Sequence, residues 1–312
     1  MKNFCTLSDV NFLPFGLALH NSLKNNLDDD FRLFYLCTDD ASYHKLCNLN
    51  IDSIVPLSLT ELTLSDDNLR AARDNQPSYE AVNVANRTGG SAKNIQYFWC
   101  LSPYLSWHIL DKYDVDDVLY VDSDVYFFNN LSKIYNEVGN KSVGLVRHRI
   151  NYNPAVGEYN VGIVYFRNDL TGYQCSEWWR NCLLYTDHEY YKTHGICGDQ
   201  KYLELFAPLF GEDKVQIIDD DVGHLAPWNF ANHQFTDDLI VWENKVQEIC
   251  YCHFSNFKPD YDNDCYEAAP RHGLIKSLNL PKPIKRLYDE YFNAVKNARM
   301  LIDENRFRYD SL

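Results

Sequence analysis

Residues 118–128 read VLYVDSDVYFF: an apolar run leads into two aspartates, and a second apolar run follows. Side chains two positions apart share one face of an extended chain, so Asp122 and Asp124 can point at one cation. Two adjacent carboxylates at a strand end are costly unless solvent or a cation screens their charge. Oxygen ligands favour Mg²⁺ or Mn²⁺, and Mg²⁺ commonly rests on one or two carboxylates plus substrate phosphates. The stretch predicts a site for a metal-bound nucleotide diphosphate, and an acidic turn after a buried strand is the simpler alternative.

The residues before this stretch alternate between strand and helix patterns. Strands are predicted at residues 3–7, 31–37 and 51–56, and a helix with apolar side chains at helical spacing is predicted at residues 12–25. This order predicts an α/β fold with a mixed, mainly parallel, Rossmann-like sheet flanked by helices.

The end of the first predicted strand is a second candidate site. Open parallel sheets bind ligands beyond the carboxyl ends of their strands, and Thr6, Leu7 and Asp9 lie at such an end. We therefore predict that these three residues contact the base and ribose of a nucleotide. The alternative for Asp9 is that it only caps the helix that begins near Phe12.

The chain divides into one large domain and a tail. We predict a domain over residues 1–260, with a nucleotide-binding part at 1–130 and an acceptor-side part at 131–260. Prolines then punctuate a loop, and a helical extension at residues 261–312 is expected to pack on the domain.

The middle of the nucleotide-binding part is less regular. Residues 59–90 are polar and poorly periodic, which suggests a flap that closes over a nucleotide. A helix is predicted at residues 92–110, with Pro103 as its start or break point.

Composition narrows the function. The 312 residues are 46% hydrophobic, enough for a sizeable core, and carry 29 basic and 44 acidic side chains for a net charge of −15. Binding to nucleic acid through phosphate neutralisation is disfavoured by this charge. Free nucleotides are repelled as well, so a phosphate-binding site on this chain needs a local cation.

The compartment is predicted from cysteines and hydropathy. The first residues, MKNFCT, contain no long apolar stretch, and no segment reaches the roughly 18 apolar residues of a membrane span. We expect a cytoplasmic protein whose ten cysteines are free and structural. The basic and aromatic tail suggests peripheral contact with a membrane or an acceptor lipid, although interleaved acidic residues favour a packed amphipathic helix.

Four segments, taken together, match one family. The chain resembles nucleotide-sugar glycosyltransferases of the GT-A fold, especially the family 8-like group related to glycogenin and bacterial lipopolysaccharide galactosyltransferases. The matching segments are the Asp-x-Asp strand at 118–128, the Asn-x-Gly strand at 159–162, the Asp-Gln helix start at 198–203 and the His-Phe segment at 253–259. The chain departs from the pattern at Asn256, where the family has glycine, and at the family's arginine, for which Lys93 is the nearest cation.

The resemblance implies how a donor is held. His253 would join Asp122 and Asp124 as the third metal ligand, and a histidine ligand suits Mn²⁺ better than Mg²⁺. Ser123 lies between the two aspartates and would contact the nucleotide. Lys258 would contact the diphosphate as a point charge, and Lys93 is a second candidate. The plain alternatives are a packed core histidine and two solvated surface lysines.

The resemblance also implies residues for the sugars. Asp199 and Gln200 resemble the pair that binds the transferred sugar near its reacting carbon, and Asn160 would hold donor or acceptor. Trp228 and Asn229 would line the acceptor pocket. The alternatives are a helix N-cap for Asp199, a turn residue for Asn160 and an ordinary buried tryptophan for Trp228.

The function implied is metal-dependent transfer of a hexose from a nucleotide diphosphate sugar, by resemblance a UDP-sugar, to a hydroxyl acceptor on a glycan, glycolipid or protein. Retention of anomeric configuration is implied by the resemblance alone. The alternative is an inactive relative that binds a nucleotide sugar or a glycan. A sugar-phosphate nucleotidyltransferase needs a glycine-rich loop near its N-terminus, and residues 5–20 contain a single glycine, Gly16. A phosphatase of the Asp-x-Asp type would carry that motif directly after the first strand, whereas here it lies at residues 122–124.

Overall fold

The computed structural model describes residues 1–74, 95–153, 156–185, 198–236, 239–274 and 276–309. The strands are β1 (Lys2–Ser8), β2 (Phe31–Cys37), β3 (Ile54–Ser58), β4 (Asp117–Val121), β5 (Val125–Phe127), β6 (Val143–Arg147), β7 (Tyr159–Arg167), β8 (Val215–Ile217), β9 (Gly223–Leu225), β10 (Gln234–Phe235), β11 (Leu239–Trp242), β12 (Lys245–His253), β13 (Lys258–Asp260) and β14 (Cys265–Glu267). The α-helices are α1 (Leu13–Asn26), α2 (Asp40–Leu49), α3 (Leu59–Ser65), α4 (Asp67–Asp74), α5 (Ile95–Lys112), α6 (Ser132–Val138), α7 (Leu170–Tyr185), α8 (Phe206–Phe210) and α9 (Lys282–Tyr309). Short 3₁₀ helices cover Gln200–Leu205, Phe230–Asn232, Pro270–His272 and Ser277–Asn279.

The main sheet has seven strands in the order β3-β2-β1-β4-β7-β6-β8. Strands β3, β2, β1 and β4 run parallel, whereas β7 runs antiparallel to both β4 and β6. Strand β8 is parallel to β6. The mixed, mainly parallel sheet predicted from the strand and helix order is therefore confirmed.

The sheet is covered on both faces, which explains why its strands are apolar nearly throughout. Alternate residues of β1 enter different cores: Phe4 packs with α1 on one face, and Cys5 packs with α5 and α7 on the other. A third core, rich in aromatic rings, joins the second sheet to α9. Because side chains from both sides of residue 260 share this core, the tail packs on the domain; where the domain itself ends stays a prediction.

A second sheet brings His253 next to the Asp-x-Asp turn. It contains β10, β11, β12 and β5 in that order, with β9 also paired to β12. Strand β5 follows the Asp-x-Asp turn directly, and its first residue, Val125, pairs with His253 at the end of β12. This pairing joins parts of the chain that are far apart in sequence.

Two predicted segments differ from the structure. Helix α5 runs through Pro103 without starting or ending there. Within the predicted flap, residues 59–74 form α3 and α4, and the remainder lies outside the described residues. Tyr104 donates a hydrogen bond to Asp66, which attaches this pair of helices to α5.

The described helices include none that is both long and apolar enough to cross a bilayer. The nine described cysteines carry free thiols.

Candidate metal centre and nucleotide cavity

The three predicted metal ligands meet at one point. One donor atom from each of Asp122, Asp124 and His253 lies within 4.8 Å of the others. His253 Nε2 is 3.0 Å from Asp124 Oδ1 and 3.6 Å from Asp122 Oδ2. Asp122 and Asp124 follow the end of β4, and His253 is the last residue of β12. Two carboxylate oxygens and one imidazole nitrogen form a donor set that fits a divalent cation such as Mn²⁺.

Asn160 orients the imidazole. His253 Nδ1 lies 3.2 Å from Asn160 Oδ1, and the same oxygen accepts a hydrogen bond of 2.9 Å from Gly162 N. Since Oδ1 is an acceptor, Nδ1 carries the hydrogen, which leaves Nε2 free to bind a cation. Gly162 makes room for this contact, because a Cβ there would lie 2.5 Å from His253 Nδ1.

Replacing Asn160 by alanine is expected to weaken Mn²⁺ binding by about 10- to 100-fold, because the imidazole loses its fixed tautomer and orientation. Isothermal titration with Mn²⁺ measures this change. The variant Asn160→Asp keeps an oxygen acceptor at the same position and is expected to retain affinity. Equal Mn²⁺ affinity of the alanine variant and wild type would contradict the positioning role.

Asp122 and His253 are close enough to shift each other's pKa, and Asp124 acts on both. Burial raises the pKa of Asp122, although the nearby His253 opposes this shift and Asp124 adds to it. Tyr120 donates a hydrogen bond of 2.7 Å to Asp122 Oδ1, which favours the ionised carboxylate. Burial alone lowers the pKa of His253, but the carboxylates of Asp124 and Asp122 outweigh it and raise the pKa above its usual value. Without a cation, the two carboxylates therefore favour the protonated imidazole.

A cavity of about 310 Å³ lies beside the metal centre, at the carboxyl ends of β1, β2 and β4. It is lined by Leu7, Ser8, Asp9, Phe12, Thr38, Phe98, Tyr120, Asp122, Ser123 and Asp124. The structure thus brings Leu7, Asp9 and Ser123 together with the aspartates, at the edge where an open sheet binds ligands. Thr6, by contrast, is fully buried and is not among the described residues that line this cavity.

Asp9 also stabilises the turn that precedes α1. Its Oδ1 accepts hydrogen bonds of 2.9 Å from the backbone N–H groups of Asn11 and Phe12. The capping alternative is not borne out, because α1 begins at Leu13 and its N-cap residue, Phe12, is reached only through its own N–H; no described side chain caps the helix. Asp9 remains at the cavity wall, where it can contact a nucleotide.

Asp199 and Gln200 lie at the start of the 3₁₀ helix Gln200–Leu205. Asp199 is buried, and its Oδ2 accepts a hydrogen bond of 2.7 Å from Ser102. Burial is the main reason that the pKa of Asp199 rises to about 7; Ser102 lowers it, and the charge of Asp122 raises it. Burial lowers the pKa of His148, and the Gln200 side chain opposes this shift.

Asp199 predicts a pH dependence of stability. Its folded-state pKa is raised, so its contribution to stability is complete below the unfolded pKa of 3.8 and is lost as pH rises through about 7. The side chain of Asp199→Asn is uncharged at every pH. As pH rises from 4 to 8, we expect the free energy of unfolding of this variant to increase relative to that of wild type by up to about 4 kcal/mol. Urea denaturation in EDTA measures this difference. The exposed Asp52→Asn is the control, and a pH-independent difference for Asp199→Asn would contradict the burial argument.

Of the two predicted lysines, only Lys258 is among the described residues, and it is not at the centre. Lys258 is exposed on β13 and lines a different cavity, of about 860 Å³, between the β13–β14 hairpin and α9. Its contact with a diphosphate stays a prediction, and Lys93 lies outside the described residues. Asn256 has φ +63°, a left-handed conformation natural to glycine and tolerated by asparagine. Asn256 thus adopts a conformation in which glycine is common, at the position where the chain departs from the family's glycine.

His148 and Tyr120 contact residues of the site but were not predicted from the sequence. His148 Nε2 lies 3.4 Å from Asn160 Nδ2, and its backbone oxygen accepts hydrogen bonds of 3.2 Å from Trp228 Nε1 and Asn229 Nδ2. The Trp228 ring meets His253 edge-on at 5.2 Å between ring centroids. The strand period could have revealed Tyr120, which shares a face with Asp122. No local pattern marks His148.

Comparison with solved structures shows that the fold is that of the GT-A glycosyltransferases. Among solved structures, the chain is similar to the galactosyltransferase LgtC in complex with donor and acceptor sugar analogues, with a TM-score of 0.50 and 14% identity over 90% of this chain and 98% of that one. An active-site mutant of LgtC gives a TM-score of 0.51 and 15% identity over the same shares. The predicted GT-A fold is thereby confirmed.

Sequence relatives cover most of the chain. It is 26% identical over 280 residues to YfnD and 27% identical over 271 residues to YfnF, two uncharacterized proteins of Bacillus subtilis (strain 168). The alignments cover 85% and 82% of this chain, and 83% and 81% of the relatives. No family model matches the chain.

Proposed function

We propose that the chain transfers a hexose from a nucleotide diphosphate sugar, a UDP-sugar, to a hydroxyl group of a glycan, glycolipid or protein acceptor. The observation that carries this proposal is the convergence of Asp122, Asp124 and His253 beside a cavity at the carboxyl ends of three strands. LgtC, whose fold the chain shares, is a galactosyltransferase that binds donor and acceptor sugar analogues. The likeness in fold supports this class of reaction.

The chain's residues would hold Mn²⁺, or Mg²⁺, and with it the diphosphate. Asp122 and Asp124 supply oxygen ligands, and Asn160 turns His253 so that Nε2 faces them. A cation bound there acts as a Lewis acid on the charge that develops on the leaving diphosphate. Because the chain is strongly acidic, this local neutralisation is also what lets an anionic donor bind.

In the reaction, the bond between the anomeric carbon and the β-phosphate oxygen breaks, and a bond from that carbon to the acceptor oxygen forms. The acceptor's proton passes to the departing diphosphate, so no base on the protein is required. Asp199, in its ionised form, would stabilise positive charge at the anomeric carbon, and Gln200 would bind the transferred sugar. Retention of configuration is part of the proposal.

The test is release of UDP. The purified protein is incubated with a panel of UDP-sugars and Mn²⁺, and UDP is measured with and without EDTA. We expect release with at least one donor and its loss in EDTA, and NMR of the product's anomeric proton distinguishes retention from inversion. Donor binding without any release, in water or with acceptors, would instead indicate an inactive sugar-nucleotide-binding relative.

A further inference from the structure

A second cavity, of about 620 Å³, lies at the carboxyl end of β6. We call it the acceptor-side cavity; its walls include Arg147, Arg149, Tyr152, Glu158, Asn232 and Trp242. Strands β4 and β6 are both antiparallel to β7, so they end at the same edge of the sheet. His148 lies between Arg147 and Arg149 in the chain. Its Nε2 is 3.4 Å from Asn160 Nδ2, and Asn160 Oδ1 is 3.2 Å from His253 Nδ1. These contacts link the wall of the cavity to the metal centre.

One wall is a fixed aromatic ring. The guanidinium of Arg149 lies 4.3 Å from the centre of the Trp242 ring and stacks on it. Arg149 is itself held by a buried ion pair of 3.0 Å with Asp219. Trp242 precedes a two-residue hairpin turn in which Glu243 and Asn244 both have positive φ, at 47° and 66°. A tight turn of this kind fixes the strand ends, so the partly exposed ring is held in place.

The opposite edge is polar and accessible. Arg147 Nε donates a hydrogen bond of 2.7 Å to Glu158 Oε1, and the two side chains are 38% and 43% exposed. Together they present hydrogen-bond donors and acceptors to the cavity, a combination that suits hydroxyl groups, which both donate and accept.

The charged side chains at the cavity, two arginines and three carboxylates, leave no excess of positive charge. Arg147 pairs with Glu158 and Asp219, and Arg149 pairs with Asp219, while Glu243 adds a further carboxylate to the lining. These residues therefore offer an anion no surplus positive charge, and the chain as a whole carries −15. A phosphate or carboxylate on the ligand would be desolvated without a counter-charge.

We propose that the acceptor-side cavity binds an uncharged sugar residue of the acceptor, with its apolar C–H face on Trp242 and its hydroxyl groups at Arg147 and Glu158. This inference rests on the proposed function and deepens it by naming the acceptor class. Neutral glycans, rather than phosphorylated or uronic acid-containing ones, are the acceptors that fit.

The test compares ligands that differ only in charge. In the first experiment, binding of the wild-type protein and of Trp242→Ala is measured on an array of neutral and acidic glycans. In the second, the rate of UDP release is measured with p-nitrophenyl glucoside or p-nitrophenyl glucuronide as the added acceptor. We expect neutral glycans to bind, the glucoside to stimulate release more than the glucuronide, and Trp242→Ala to weaken both effects by about tenfold. Trp242→Phe retains an aromatic face and is expected to restore most of the binding.

Controls separate this inference from the proposed function. Val246→Ala changes an exposed side chain of the same hairpin that does not line the cavity, and is expected to behave as wild type. UDP release in water, without acceptor, tests the proposed function alone and is expected to be unchanged by Trp242→Ala. Preferred binding of acidic glycans, no binding to the array, or equal binding by Trp242→Ala and wild type would each overturn the inference.

Discussion

Asp124→Asn is expected to lower the rate of Mn²⁺-dependent UDP release by on the order of 10²- to 10³-fold, the size of effect seen when one preorganised charge stabiliser is removed. The amide has nearly the same shape but no charge, so the cation is held more weakly and stabilises the leaving diphosphate less. Steady-state kinetics over a range of Mn²⁺ concentrations measure the loss.

The fold is expected to survive this change. The backbone oxygen of Asp124 keeps its hydrogen bond of 2.8 Å from Phe254 N, and His253 keeps Asp122 as a neighbour at 3.6 Å. Asp52→Asn, at an exposed position, is the control for loss of one carboxylate. Wild-type turnover by Asp124→Asn, with normal unfolding, would mean that the Asp-x-Asp turn is only structural.

Glu137→Ala is expected to lower the free energy of unfolding by about 3 kcal/mol. The Glu137 carboxylate, on α6, accepts hydrogen bonds of 2.5–3.1 Å from four successive backbone N–H groups, those of residues 219–222. The alanine variant leaves these donors without their charged partner, and Val222 is fully buried. Urea denaturation followed by circular dichroism measures the change.

Two variants make this second prediction specific. Glu137→Gln retains one acceptor oxygen and is expected to lose about half as much stability. Glu248→Gln removes a carboxylate that pairs with Lys133 at 2.6 Å but is 55% exposed, and is expected to cost less than about 1 kcal/mol. Equal effects at Glu137 and Glu248 would show that the four backbone contacts contribute little.

Loss of Glu137 is also expected to reach the acceptor-side cavity. Asp219 is one of the four residues held by Glu137, and it anchors both Arg147 and Arg149. An increase in the KM for a neutral acceptor, with donor hydrolysis unchanged, is the kinetic sign of this connection.

Most of the fold could be predicted from patterns of neighbouring residues in the sequence. The alternation of side chains in an extended chain placed Asp122 and Asp124 on one face, and the strand and helix order indicated the parallel part of the sheet. The Pro103 prediction was wrong because tertiary packing keeps α5 continuous: the helix lies against α7 and the sheet, which outweighs the lost hydrogen bond.

Long-range partners were beyond local patterns. His253 was placed at the metal centre only through the family resemblance, since the antiparallel pairing of β5 and β12 leaves no periodic signal near residue 253. The contact of Asn160 with His253 depends on the same pairing. Glu137 and residues 219–222 are equally distant in sequence, and a glutamate on a short helix gives no sign that its partner is a backbone loop.

The dependence of the metal centre on β12 ties cation affinity to the progress of folding. A ribosome-bound chain that has not yet emerged as far as residue 253 offers only the two aspartates, and even a longer chain lacks the imidazole until β12 has aligned with β5. High-affinity Mn²⁺ uptake should therefore follow assembly of both sheets, and the ion should favour the finished protein over its partly folded precursors.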